Sequence, residues 1–207
     1  MTSKKSFWPT SAIAILMAAG GCVSVLPEQP KPEAVYRLAE PQALAELRTH
    51  VVIREPDAPR LFASRTITSQ SPDGGLKVVS GVAWADRATR MFQVTMLDAF
   101  KGDGPGLAVD DVTGVSGEYE LYWRVSEFSL QGTDGVCELQ LTLLDGRSRV
   151  PVAQQSVSAR AQATSKGDLA RARALSDAGR LCVEKAASFI AERAVPAEDE
   201  ADDSLAG

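Results

Sequence analysis

Reactive side chains are scarce in this sequence. One histidine and three cysteines in 207 residues are too few for the clustered ligands of a metal centre or for a base-assisted nucleophile. Positive charge is also short: 22 lysines and arginines against 27 aspartates and glutamates give −5 at pH 7. That balance excludes a protein that works by neutralising nucleic-acid phosphates. The apolar run from Ser11 to Ala19 is too short to span a bilayer. The stretch Gly102-Asp-Gly-Pro-Gly106 has the glycines of a phosphate loop, but it follows a predicted helix instead of opening one, and it contains no Lys-Ser or Lys-Thr pair. It reads as a turn. His50 begins a strand with no acidic orienter or nucleophile recognisable beside it, so it reads as a strand-end residue and not as a base. No cofactor, metal ion or nucleic acid is expected. What remains, 44% hydrophobic and 24% charged, is an ordinary globular domain with tails.

The first tail has the layout of an export signal. Lys4 and Lys5 precede the short apolar run, which ends in Gly20-Gly21-Cys22. Small residues before a cysteine resemble the lipobox of bacterial lipoproteins, in which cleavage leaves the cysteine as the acylated first residue. Cys22 is then the lipidation site. Ordinary secretory cleavage near Ala18 to Gly20 and an uncleaved anchor are the alternatives. Several acyl chains, each buried methylene contributing ~0.8 kcal/mol, hold a protein on a membrane far better than one. By the same resemblance, Val23 after the cysteine points to the outer membrane, facing the periplasm, in preference to the inner membrane. The prolines between Val23 and Pro32 favour extended geometry. This gives residues 1–21 as signal peptide, 22–34 as lipidated cysteine and tether, 35–195 as the domain, and 196–207 as an acidic tail too polar to fold.

Within the domain, Gly81 to Gly102 reads as a central helix. Trp84, Ala85, Ala88, Met91, Phe92, Met96 and Ala99 fall on one stripe at helical spacing, with Asp86, Arg87, Thr89, Arg90 and Gln93 opposite. Val94, Leu97 and Phe100 form a second row at i, i+3, i+6. That row either widens the buried face or makes a contact surface for another subunit, a second copy included. A short helical turn is expected within Glu40 to Leu47. Strands are expected at Val51 to Ile53, Leu61 to Ile67 and Leu76 to Ser80, with a turn at Ser71 to Gly75. The long strand Glu118 to Leu130 puts Leu121, Trp123 and Val125 on one face. Phe128 and Leu130 break its alternation, which predicts a bulge or coverage of both faces. Cys137, Leu139, Leu141 and Leu143 alternate cleanly inward, and Asp145-Gly146 signals a hairpin into Val150 to Ala161. A final helix from about Asp168 to Ala194 gathers Ala172, Leu175, Ala178, Gly179, Cys182, Val183, Ala186, Phe189 and Ile190 on one face. Cys137 and Cys182 then face each other across a sheet–helix interface, either bonded in an oxidising periplasm or separately buried as thiols.

Taken in order, Cys22, Tyr36-Arg37-Leu38, the Val-Val-Ile-Arg-Glu-Pro stretch from Val51, Ala58-Pro59, Trp84-Ala85-Asp86, Tyr119-Glu120-Leu121, Glu127-Phe128 and the alanine-rich final helix resemble the ABC-type transport auxiliary lipoprotein family. The resemblance implies an α+β domain, a mainly antiparallel sheet with two helices packed on it, and no catalytic residues. It implies a non-enzymatic component that assists lipid movement between membranes. Its partners are then an Mce-domain substrate-binding protein, a permease and an ATPase on separate chains. Trp84 maps onto the family's helix-opening motif as a packing residue and Asp86 as a first-turn acid. A lipoprotein that assists envelope assembly or activates a cell-wall synthase is the alternative.

Overall fold

The computed structural model of the chain describes residues 31–196. Residues 1–30, which hold the expected signal peptide, Cys22 and most of the expected tether, and residues 197–207 of the expected acidic tail lie outside the described residues. The elements in order are β1 (Ala34–Tyr36), β2 (Val51–Ile53), α1 (Arg60–Ala63), β3 (Thr66–Gln70), β4 (Leu76–Trp84), α2 (Ala88–Asp98), β5 (Ala108–Asp110), a 3-10 turn at Asp111–Thr113, β6 (Tyr119–Gln131), β7 (Asp134–Asp145), β8 (Pro151–Gln162) and α3 (Asp168–Arg193).

An antiparallel meander, β6–β7–β8, is the frame. The free edge of β6 is shared: β2 runs parallel to its start, with Val51 opposite Tyr119, and β3 runs parallel to its end, with Ser69 opposite Leu130. Between them Asp57 bridges the gap through its N–H to Trp123 O and its carbonyl to Val125 N. β5 continues the sheet beyond β2, and β4 and then β1 continue it beyond β3. Four of the seven pairings, β1/β4, β2/β5, β2/β6 and β3/β6, are parallel. The sheet is therefore mixed, and the expectation of a mainly antiparallel sheet is corrected. The parallel pairings join short strands far apart in sequence, which no hairpin signal announces. Among the described residues three helices replace the two expected, and α1, a single turn, takes the start of the strand expected from Leu61. Pro59 accounts for it: its carbonyl accepts from Phe62 N and Ala63 N at 2.8 and 2.9 Å, which drives Phe62 into the core.

The predicted bulge in β6 is present. Val125 lies opposite Leu139 but Glu127 lies opposite Glu138, so Ser126 is the extra residue. The insertion shifts the alternation by one, and Phe128 and Leu130 join Leu121, Trp123 and Val125 among the buried side chains. Phe128 stacks on Trp84 with centroids 5.1 Å apart and meets Phe92 edge-on at 4.8 Å, while Phe92 in turn meets Trp123 at 90°. These four rings join β4, α2 and β6.

Trp84 is thus the last residue of β4 and not part of the central helix. Gly81, read as a helix boundary, sits at φ +81° inside β4, where pairing with β3 slips between Thr66–Ala83 and Thr68–Val78. A glycine bulge, not a helix start, is what it marks. α2 accordingly begins at Ala88 after Arg87, and Asp86 lies before the cap with its Oδ1 accepting from Arg87 N at 2.7 Å. It is not a first-turn acid. The polar stripe is corrected too: Thr89 and Gln93 are buried, because the loops around β2 and β5 cover that side of α2. Thr89 donates to Glu55 at 2.5 Å, and Gln93 donates from Nε2 to Ile53 O and Asp111 Oδ1, both at 2.9 Å.

α3 lies along β7 and β8, and every residue of its predicted apolar face is buried. The approach is close: a Cβ on Gly135 of β7 would come 2.4 Å from Leu175 Cα, and one on Gly179 would come 2.7 Å from Leu38 Cδ2. At the outer edge, β8 pairs among the described residues only with β7, and Lys185 of α3 reaches across to donate to Ser158 O at 2.6 Å. No helix forms in Glu40 to Leu47. That segment crosses α3 instead, held by Glu184, whose Oε1 accepts from Gln42 N at 2.7 Å and Arg180 Nη1 at 2.9 Å.

Gly135→Ala should lift α3 from the sheet and cost about 1–3 kcal/mol, the scale of overpacking a core; urea denaturation measures it. Burial pushes the Glu184 carboxyl up, but its bonds from Gln42 N and Arg180 outweigh this, so the net pKa is lowered. The stabilisation is then complete above the ordinary glutamate range and disappears as pH falls through the lowered folded value. Stability curves of the native chain and Glu184→Gln should differ at neutral pH and converge in acid.

Candidate functional site

The segment following β1 runs beside α2. Ala85 N donates to Tyr36 O at one end, and Ala45 exchanges bonds with Ala99 O and Lys101 N at the other, 2.7–2.9 Å each. Between these ties lies an open groove of about 420 Å³. One wall is Arg37 to Pro41 and the other is the outward side of α2, with Leu38, Pro41, Met91 and Val94 giving it an apolar lining. Leu38 is fixed at the base by contact with Gly179 of α3, and Ser176 Oγ donates to Arg37 O at 2.8 Å.

Charge divides the groove lengthwise. Arg37, Asp86 and Arg90 lie toward the start of α2, and Glu40 and Asp98 toward its end. Arg90 is already engaged, donating to Gln93 Oε1 at 2.5 Å and to Asp110 Oδ2 at 3.0 Å. Burial raises the Asp110 carboxyl, but Val112 N and Arg90 more than offset this and hold it below its usual value. The opposite holds at the far end. Burial, and then the charge of Glu40, raise the pKa of Asp98. Asp98 also closes α2, where the helix dipole disfavours an anion. Among the described residues, neither Glu40 nor Asp98 has an ion-pair partner.

The row Val94, Leu97 and Phe100 does not form one exposed surface. Val94 is 40% exposed and opens into the groove, Leu97 is partly buried against the core, and Phe100 is 6% exposed. The reason is that α2 stops at Asp98, so Phe100 leaves the helical path and bridges to Ala45. Cys137 and Cys182 are brought together as expected of facing elements. Both are free, fully buried thiols, with Cys182 Sγ donating to Cys137 O at 3.3 Å. Burial, reinforced by the hydrogen bond with Cys182, pushes the Cys137 thiol up. Cys22 lies outside the described residues. His50 is a structural residue: its Nδ1 accepts from Leu107 N at 3.0 Å, and its own N–H donates to Glu118 Oε2 at 2.8 Å.

Glu120 was not singled out as a site residue in the sequence, although it lies in one of the family-like stretches. Its side chain is 8% exposed and takes Arg54 Nε at 2.5 Å on one oxygen and Arg149 Nη1 on the other. Both guanidinium groups also lie over the Tyr122 ring. Arg149 sits at φ 62°, an uncommon conformation for a residue with a side chain. This network ties the β7–β8 hairpin to the end of β2. Among the described residues, no group of three or more His, Cys, Asp or Glu is placed to hold a metal ion. No described helix is long and apolar enough to cross a membrane.

A crystal structure of a Xanthomonas campestris protein of family DUF330 superposes with a TM-score of 0.67 at 20% identity, covering 77% of this chain and 96% of that one. The crystal structure of an uncharacterized protein gives 0.62 at 13% identity, covering 77% and 99%. At such identities the likeness shows the fold alone. A PelC dodecamer from Paraburkholderia phytofirmans aligns more loosely, at 0.45 and 14% identity over 74% and 94% of the two chains. No curated protein matches the sequence. The model of the ABC-type transport auxiliary lipoprotein component family matches residues 33–187, most of the described domain. The chain belongs to that family.

Proposed function

We propose that the protein is a non-enzymatic lipoprotein component of an Mce-type lipid transport system, tethered through acylated Cys22 to the outer membrane and assisting lipid movement across the periplasm. The observation that carries this reading is the family match over residues 33–187, which gives an auxiliary role beside an ABC-type transporter. The lipobox-like sequence before Cys22 and the proline-rich stretch after it support the tether. On this reading the permease, ATPase and Mce-domain subunits reside on other chains. The domain contributes by occupying a position and contacting them, and the groove beside α2 is the surface suited to that contact.

Affinity purification of the full-length lipoprotein from detergent-solubilised membranes should recover an Mce-domain chain with its permease and ATPase; recovery of none of these would overturn the assignment. Replacing Cys22 with alanine should abolish palmitate labelling and move the protein from the membrane pellet to the soluble envelope fraction, at least tenfold by immunoblot. Unchanged labelling would remove Cys22 as the anchor.

A further inference from the structure

The groove has one end that its own chain leaves electrostatically unsatisfied. Glu40 and Asp98 stand together at the close of α2, where the helix already presents its partial negative charge. Covering that end with a neutral or acidic partner would take two like charges out of water with nothing to offset the loss. Covering it with a cation offsets all three sources of negative potential at once. Apolar side chains line the groove beside it, and along α2 from Arg90 to Asp98 it extends roughly 12 Å, the length of a peptide segment and not of a single ion.

We propose that this groove is a docking slot for a segment of a partner protein that carries a lysine or arginine, with the cation against Glu40 and Asp98 and neighbouring apolar side chains over Val94, Met91 and Pro41. The long aliphatic stem of either basic residue covers apolar surface while its head stays with the carboxylates. At the other end the charges of Arg37 and Asp86 offset one another, so the pull on a basic residue is concentrated at Glu40 and Asp98 and sets the direction in which the segment lies. A second copy of this chain, with net charge −5, is the wrong electrostatic match. That the partner is a subunit of the transport system rests on the reading above; the slot and its preference for a cation do not.

A photo-crosslinking benzoylphenylalanine placed at Val94 in the full-length lipoprotein, expressed in its own cells, tests this. A matching substitution at Val78, exposed on β4, serves as control. The expected result is an adduct with another protein whose attached peptide has a lysine or arginine within about four residues, on the extended-chain rise of ~3.3 Å per residue. Glu40→Lys with Asp98→Lys should lower its yield at least tenfold, Glu40→Gln with Asp98→Asn should lower it less, and replacing the partner's basic residue with glutamate should restore the lysine variant. An unchanged melting temperature in the amide variant separates lost binding from lost folding. The proposal is overturned by no adduct above the Val78 control, by an adduct with a second copy, by an attached peptide without a basic residue, or by a yield indifferent to charge reversal. A basic segment from a protein outside the transport system would keep the slot and remove the transport reading. Recovery of the transport subunits with no Val94 adduct would do the reverse.

Discussion

One inserted residue in β6 holds the architecture together. Without Ser126 the strand would keep its alternation, and Phe128 and Leu130 would turn away from Trp123 and Val125. With it, a 13-residue strand presents a single apolar side along its whole length. Phe128 then becomes the ring on which Trp84 from β4 and Phe92 from α2 converge, and Gly179 of α3 packs beside it. Aromatic contacts of this kind contribute about 0.5–1.5 kcal/mol each beyond the area they bury. Here they also fix how the helices meet, since α2 and α3 both touch the same side chain of β6.

The regular elements were legible because their apolar periods are long and unbroken. The alternation Cys137, Leu139, Leu141, Leu143 maps directly onto β7, and the i, i+3, i+4 set from Ala172 to Ile190 maps onto α3. The bulge could be read from Phe128 and Leu130 because a phase break needs a cause. The misread elements share a different cause. Trp84 and Ala85 fit helical spacing with Met91 and Phe92, but four residues fit many patterns, and the slipped pairing of β4 around Gly81 depends on β3, which the local sequence does not contain. Thr89 and Gln93 read as a solvent face because polar residues at helical spacing do so whenever their buried partners, Glu55, Ile53 O and Asp111, come from other segments.

The groove was hidden for the same reason. Its two walls, Arg37 to Pro41 and α2, lie about fifty residues apart, and only the ties at Tyr36 and Ala45 bring them side by side. Of the row Val94, Leu97 and Phe100, which the sequence leaves as either a wider buried face or a contact surface, Val94 alone lines the groove. The carboxylates carry no signal in the sequence, since an aspartate at the end of a helix and a glutamate before a proline are ordinary residues one at a time. Their significance is positional: both sit where the remaining groove charges are either paired, as Arg90 is with Asp110, or placed at the other end.

The outer edge of β8 has a consequence beyond the fold. A 12-residue strand with one side unpaired among the described residues is a template onto which a neighbouring chain can add. Lys185 occupies the Ser158 carbonyl near the middle of that edge, withdrawing an acceptor and setting an ammonium where an incoming strand would have to lie. A charge held at a strand edge opposes edge-to-edge association, a safeguard whose worth rises with protein concentration and vanishes at infinite dilution.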